Sequence, residues 1–466
     1  MLYLALFLPQ LSLEACAAES SNPAAVVDRR GTRRWIVGCN DAARAAGVRA
    51  GLEATMALAI CPELQFLDRS PGNETQALRS LAAWAGQFSS WICFDRGRQL
   101  LWMEVGSSLK YFGGVERLLA RVEDQLPELG HVADIGIAPT LEAAALFARS
   151  GQAAVREVGD LLPALAPLPL AELELDEDLK EILPDLGIRT VAELLALDRK
   201  SLARRFGAAA LEYLDRLLGH IPDPRPNYRL PPRYSRRFEL LGAVENVEGL
   251  LFPLRRMLVA LQGYLVGRDS AVQEIDLRLQ HEGTPPTLLK VRSTRPVRDA
   301  ARMLALVRER LERAELKSPV VELQLLAQRL VPIGDTQLEL IEGGSGLQES
   351  SWDELLDRLR ARLGPSAVRQ LGLRSDHRPE HAWCLVEGQQ SSGQERSPER
   401  PLWLVPPTPL EQLPPSLGRP ERIEAGWACG RDERRDYYIA EAPGGSRLWI
   451  FRDANLDRWF LQGLWA

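Results

Sequence analysis

The sequence runs to 466 residues, 45% of them hydrophobic and 26% charged, with a net charge of −6. That length exceeds one compact core and, at roughly 150 residues per domain, implies three or four; the composition is that of an ordinary soluble globular protein and excludes a low-complexity or disulfide-framework chain. The acidity speaks against a nucleic-acid partner unless cations are concentrated, and they are: Arg229 to Ile333 holds 18 lysines and arginines against 12 acids, a local balance of +6 that leaves −12 elsewhere.

In chain order, Tyr3 to Leu8 reads as a buried strand. The apolar run Met1 to Ala18 imitates a secretion signal, but no Lys or Arg precedes Arg29, Glu14 stands where a small residue is wanted and Pro9 interrupts the run. No later stretch is apolar enough to span a membrane, so a cytoplasmic protein is expected. Residues 25–66 read as a small domain of one or two strands (VVDRRGTRRWIVGCN) and two helices, the second ending near Pro62. An amphipathic helix over 75–89 follows, then strands at Trp91–Phe94 and Leu100–Val105 around the turn DRGR. A helix over Gly114–Leu126, a strand at Ala133–Ile137 and a helix at Leu141–Arg149 complete an alternating α/β or α+β layer.

Leu170 to Gly219 is helical throughout. Leu186-Gly187-Ile188 makes a hairpin before an N-cap at Thr190, so that backbone N–H groups at Gly187 could face a phosphate; a plain helical corner explains the pattern equally well. The Pro-rich stretch 222–232 reads as a linker. Beyond it the order is βαββαβ: a strand at Tyr234–Leu241, a helix over Val247–Val266, alternating Ile275, Leu277 and Leu279, a strand at Leu288–Arg292, a helix over Val297–Leu316 and a strand through Val321, Leu323 and Leu325. Helices would cover one sheet face. On the other, Arg278, Lys290, Arg292, Arg295 and Arg298 form a candidate phosphate-tracking surface, against the plainer reading of a solvated charged face.

In the tail, Ser351 and Glu354 form a capping box, residues 388–420 are rich in Ser, Gln, Gly and Pro and read as a flexible tether, and the end reads as an aromatic hairpin around a PGG turn. The six cysteines are at least 22 residues apart, which is no metal-ribbon spacing, and Pro379 spoils a helix that would pair His377 with His381. Neither a metal nor another cofactor is expected.

Several segments in order resemble the Y-family translesion DNA polymerases. NDAARAAGVRAGLEATMALAICPEL (40–64) is similar to the fingers segment, GIAPTLEAAALFARSG (136–151) to the palm helix, LPDLGIRTVAELLAL (183–197) to the thumb, and the basic βαββαβ module to the little finger. The resemblance implies an α+β multidomain chain: palm strand 1–24, fingers 25–74, palm 75–165, helical thumb 166–221, linker 222–233, little finger 234–333 and a C-terminal partner-binding extension 334–466. It also implies that two strands should carry carboxylates for two Mg²⁺ ions. Aligned on Glu14 and on Trp102-Met103-Glu104-Val105, those places hold Ala5, Phe7 and Leu8, and Gln99 and Leu100. Arg44 keeps the place of a triphosphate-binding arginine, but Asp41, Pro9, Gln10, Leu141 and Ala145 replace the other nucleotide contacts.

LALFLPQLSLE at the start, FGG (112–114), HRPEHAW (377–383), RPLWLVPP (400–407) and PERIEAGW…RRDYYIA (420–440) resemble the ImuB family, the catalytically inactive Y-family-like members of the bacterial damage-inducible mutagenesis cassette. That resemblance implies a non-enzymatic bridge between DNA, the beta sliding clamp, a RecA-like accessory protein (ImuA) and the alpha subunit of an error-prone C-family DNA polymerase. Gln337, Leu338, Leu340 and Ile341 in TQLELIEG (336–343) resemble the bacterial clamp-binding pattern, with Ile in the place of Phe. The competing expectation is an active lesion-bypass polymerase that uses Asp95 or Glu104.

Overall fold

The computed structural model describes residues 1–16, 22–152, 154–316, 318–333, 355–360, 362–364, 367–374, 376–386, 399–414, 416–425, 432–442 and 444–465. The chain forms two compact units, Met1–Ala361 and Arg362–Ala466. The clamp-like residues Gln337, Leu338, Leu340 and Ile341 and the capping box Ser351–Glu354 lie outside the described residues.

The first unit begins with β1 (Tyr3–Phe7) and α1 (Leu11–Ala15). An inserted layer follows: β2 (Ala24–Arg30), β3 (Arg33–Cys39), α2 (Asp41–Ala45), α3 (Ala54–Ile60) and β4 (Gln65–Asp68), forming a three-stranded sheet in the order β3-β2-β4. The short edge strand β4 was not foreseen from sequence; it pairs in parallel with β2. The chain then returns through α4 (Pro71–Ala85), β5 (Ile92–Asp95), β6 (Leu100–Glu104), α5 (Leu109–Phe112), α6 (Val115–Glu128), β7 (Asp134–Ala138) and α7 (Leu141–Ser150). Strands β5, β6, β1 and β7 form one antiparallel sheet in that order, with β1 inside it. The continuous apolar run of β1, Tyr3 to Phe7, suits this place, because both faces are covered. Leu4 and Leu6 are buried among Leu78, Leu81 and Trp84 of α4 and Leu118 and Val122 of α6, and Ala5 is buried on the opposite face.

Four helices follow: α8 (Leu161–Leu165), α9 (Glu177–Asp185), α10 (Val191–Leu195) and α11 (Arg199–Leu218), the last broken at Gly207, where φ is 84°. They rest on the Ala5 side of the sheet, tied by a hydrogen bond from Thr140 Oγ1 to the Leu217 carbonyl of 2.9 Å. Residues 222–233 are pinned to the β5 edge of that sheet, unlike a free linker: the Ile92 amide donates to Asn227 Oδ1 at 3.0 Å and the Tyr228 amide to the Ile92 carbonyl at 2.6 Å.

The βαββαβ module comprises β8 (Tyr234–Val244), α12 (Val247–Gly267), β9 (Ser270–His281), β10 (Thr287–Val297), α13 (Ala300–Leu311) and β11 (Val320–Ala327), with a short β12 (Leu330–Pro332) added beside β9. The strand order is β10-β9-β11-β8. Its helical face does not stand apart. Leu254, Leu258 and Leu261 of α12 share one buried core with Leu78, Leu81 and Trp84 of α4. The helices approach at glycines: a Cβ on Gly267 would meet the Gly86 carbonyl carbon at 2.5 Å, and one on Gly263 would meet Trp84 Cδ1 at 2.6 Å. Residues 355–360 add a helical segment to this unit.

The second unit holds a two-stranded ribbon, β13 (Gln370–Leu373) and β14 (Trp383–Val386), and a six-stranded sheet of β15 (Trp403–Pro409), β16 (Ser416–Leu417), β17 (Glu421–Ala425), β18 (Glu433–Glu441), β19 (Arg447–Asp453) and β20 (Arg458–Leu464). The PGG hairpin expected near the end joins β18 to β19, with Gly444 and Gly445 at φ of 116° and 85°. The flexible reading of 388–420 fails for Trp403–Pro409, which pairs with β20. Prolines misled the composition argument: β15 is an edge strand, where a missing N–H costs no ladder bond. The multidomain α+β class expected from the sequence is the class the structure has.

Candidate functional site

Antiparallel partners share a sheet face, so the register fixes what lines the front of the β5-β6-β1-β7 sheet. One row reads Asp95, Leu100, Phe7, Asp134 across β5, β6, β1 and β7; the next reads Cys93, Trp102, Ala5, Gly136. Ala5, Leu100 and Trp102 are fully buried. Helix α7 lies directly on the sheet: a Cβ on Gly136 would meet the Ala144 carbonyl oxygen at 2.2 Å and the Ala148 nitrogen at 2.3 Å. Gln99 sits in the β5–β6 turn at φ 55°, and its carbonyl accepts from the Leu8 amide at 2.9 Å.

A charged network roofs this apolar floor. Arg98 donates twice to Glu142, at 3.0 and 2.6 Å, and pairs with Glu174 at 2.5 Å. Arg149 also pairs with Glu174, and Arg225 with Glu142 and Asp223. The three guanidinium groups stack on the floor, Arg225 and Arg98 over Trp102 at 4.2 and 5.2 Å and Arg149 over Phe7 at 5.3 Å. The Trp102 indole N–H donates to the Leu141 carbonyl at 2.9 Å. Burial alone would favour neutral Arg98, but Glu142 and Glu174 overcome it and hold the guanidinium charged. None of these six charged residues was singled out as a site from sequence, since they come from the β5–β6 turn, α7, the helical region and the linker.

A divalent ion needs oxygens converging within roughly 2.0–2.6 Å of one point. The front does not offer them. Asp95 and Asp134 stand on β5 and β7, three strand spacings or about 14 Å apart, and Glu104 is four residues along β6 from the Leu100 row, about 13 Å. Glu104 accepts from Ser107 Oγ at 2.7 Å, and the Asp95 carboxylate accepts from the Arg98 amide at 3.1 Å. Glu14 is engaged elsewhere, by His131 at 2.7 Å and the Val132 amide at 2.8 Å. Among the described residues, no group of three or more His, Cys, Asp or Glu is placed to hold a metal ion.

The other sequence-derived sites are equally occupied. Arg44 pairs with Asp41 at 2.7 Å and donates to the Cys39 carbonyl at 3.2 Å. Gly187 has the expected positive φ of 83°, but the hairpin amides do not face outward for a phosphate. The Gly187 and Ile188 amides bond to Pro184 and Leu183 carbonyls, and the Arg189 and Thr190 amides both donate to the Glu193 carboxylate, at 2.7 and 3.0 Å. The glutamate of the capping box stands where an external anion would.

On the outer face of the βαββαβ sheet the register brings Arg278, Lys290 and Arg292 together, but carboxylates interleave them. Register aligns Lys290 with Asp276 and Arg292 with Glu274. Lys290 lies 3.4 Å from Glu274 and 3.9 Å from Asp276; Arg292 pairs with Glu274 at 2.6 Å and holds that carboxyl below its ordinary range. Arg278 meets Gln280 at 3.5 Å. Arg295 lies at the irregularity between Arg292 and Val297, and Arg298 just past β10. A count of cations along the chain could not show this pairing, because the acids are contributed by the neighbouring strand.

Residues 7–149, covering the sheet, its helices and the inserted layer, match the impB/mucB/samB family. Beyond that segment, the chain is 29% identical over 463 residues to Protein ImuB of Caulobacter vibrioides, strain NA1000 / CB15N, covering 90% of this chain and 100% of that protein; ImuB of strain ATCC 19089 / CIP 103742 / CB 15 gives the same figures. The chain is thus ImuB-like along nearly its whole length. Among solved structures, the Dbh ternary complex is 16% identical, covering 72% of this chain and all of that one at a TM-score of 0.41, and DinB from Sulfolobus solfataricus is 18% identical, covering 71% and 100% at 0.41. No helix among the described residues is long and apolar enough to cross a membrane.

Proposed function

We propose that the chain is a non-catalytic, polymerase-like adaptor in damage-induced translesion synthesis, acting in the cytoplasm, which contacts DNA and links the sliding clamp to an error-prone C-family polymerase with a RecA-like accessory protein. The observation that carries the reading is the palm front: Ala5, Phe7, Leu100 and Trp102 form an apolar floor, and Arg98, Arg149 and Arg225 are stacked over it. Phosphoryl transfer needs anionic oxygens that gather metal ions and neutralise the developing charge. Three cations already balanced by Glu142, Glu174 and Asp223 supply neither ligands nor room.

The bridging role rests on the likeness to ImuB and on the clamp-like residues Gln337, Leu338, Leu340 and Ile341. Gln337→Ala with Leu338→Ala should weaken binding to the purified clamp at least tenfold; unchanged binding removes that link. Primer extension with Mg²⁺ or Mn²⁺ decides the catalytic question. No incorporation above background is expected. Incorporation that survives rigorous purification and disappears in Asp95→Asn or Glu104→Gln sinks the adaptor reading in favour of an active polymerase.

A further inference from the structure

The ribbon of the second unit shows an apolar face that no described residue covers. Its register sets Leu371 opposite Leu385 and Leu373 opposite Trp383, so the four side chains form one contiguous block. Their exposures are 75%, 53%, 67% and 50%. An isolated two-stranded ribbon is marginal in water, and one showing four large apolar groups more so. This ribbon is nevertheless fixed in place. The turn between its strands carries Glu380, which accepts from Arg435 at 2.7 Å and from Gln462 Nε2 at 3.0 Å, while Gln462 accepts from the buried Tyr437 hydroxyl at 2.6 Å. Arg435 also lies over Phe451 at 4.8 Å. The face is therefore held rigid by the six-stranded sheet before anything binds it, which lowers the ordering cost of binding.

Size and charge select the occupant. Four such side chains expose on the order of 400–500 Å² of apolar surface, typical of a functional patch but well short of the roughly 800 Å² per partner that a stable dimer uses. A short segment fits better than a second copy. The ribbon's two described carboxylates are engaged, Asp376 by Arg378 at 2.9 Å and Glu380 by Arg435, whereas exposed Arg369, two residues before Leu371, has no carboxylate against it among the described residues. A second copy would set this cation against its own counterpart.

We infer that this face docks an acidic amphipathic segment of a partner protein, its apolar side chains on Leu371, Leu373, Trp383 and Leu385 and a carboxylate against Arg369. The inference rests on the adaptor reading, which supplies three candidate owners of that segment. The test measures the affinity of the full chain for each purified owner, clamp, RecA-like protein and C-family polymerase, before and after Leu371→Asp with Leu385→Asp, and separately Arg369→Glu. Thermal melting checks folding, and should be unmoved because the altered side chains are exposed. The expected result is that one partner loses at least a hundredfold with the aspartates and three- to tenfold, salt-dependently, with Arg369→Glu, while the other two are unaffected. If partners bind the unaltered chain and none is lost with the aspartates, the inference is overturned and the adaptor reading stands. Loss with the aspartates but indifference to Arg369→Glu and to salt overturns the acidic occupant. A concentration-dependent dimer that the aspartates dissolve assigns the face to a second copy instead. If no partner binds even the unaltered chain, the adaptor reading itself falls and takes this inference with it.

Discussion

Glu74 is the most constrained acid in the first unit. It is buried, and it accepts from Ser12 at 2.7 Å, from Arg69 at 2.6 and 3.0 Å and from Arg96 at 3.3 Å, while Arg69 reaches Asp28 at 3.2 Å. One carboxylate thereby ties the inserted layer to α1 and to the β5–β6 turn. Burial pushes its pKa up, but the hydrogen bonds from Arg69 and Ser12 prevail and hold it below the ordinary value. A carboxyl depressed in the folded state contributes stability above its unfolded pKa and loses it as pH falls through the folded one. Glu74→Ala should cost about 3–5 kcal/mol at pH 7, since partly buried Arg69 loses the nearer of its two carboxylates and keeps only the one at Asp28. In urea titrations the gap between Glu74→Gln and the unaltered chain should shrink as pH drops below the carboxylate range; a constant gap down to acid pH contradicts the assignment. Cys93, pushed up to about 12 by burial, stays a thiol at pH 8 and should resist alkylation in the folded chain, with partly exposed Cys16 and Cys384 reacting first among the described cysteines.

Elements meet where side chains are smallest. The α4–α12 seam depends on Gly263 and Gly267, because a Cβ at either would press into backbone, Trp84 Cα at 2.9 Å for the first and the Gly86 carbonyl carbon at 2.5 Å for the second. Gly267→Val should therefore destabilise by about 1–3 kcal/mol through overpacking and raise protease cleavage in 222–233 as the βαββαβ module lifts from the palm. Native cleavage patterns in that variant would show that the seam does not hold the module. How much of this was legible in sequence follows from range. Local signals worked: Thr190 is the N-cap of α10, and the alternation of Ile275, Leu277 and Leu279 marks a half-buried strand. The apolar character of Ala5 and Leu100 was also legible, because it is a matter of residue type. The network over them was not, since Arg98, Glu142, Glu174 and Arg225 are brought together only by the fold. The hairpin at Gly187 shows the converse failure: its conformation was predicted and its free amides were not delivered, because Glu193, six residues on, takes the Arg189 and Thr190 N–H groups.

In the first unit the layers stack in one direction: apolar palm front, sheet, α4 with α6, α12, then the βαββαβ sheet with its charged outer face. At roughly 10 Å between packed layers, that outer face lies about 30 Å from Phe7 and Trp102 and on the opposite side. DNA lying there does not reach the palm front while α12 is seated. The outer face is also close to self-neutralised, Lys290 and Arg292 being held by Glu274 and Asp276, so its affinity should be modest and limited by those acids. Removing a charge then separates two models of the surface. If phosphates compete with Glu274 for the same cations, Glu274→Gln frees Lys290 and Arg292. Duplex affinity at low salt should then rise about three- to tenfold, and the salt dependence should steepen by up to roughly 0.9 per cation released. Lys290→Ala with Arg292→Ala should reverse both changes. Fluorescence anisotropy with a labelled duplex at several salt concentrations reads the slopes directly. An unaltered slope in Glu274→Gln would mean that phosphates never reach this sheet, and any DNA contact would then have to come from another part of the chain.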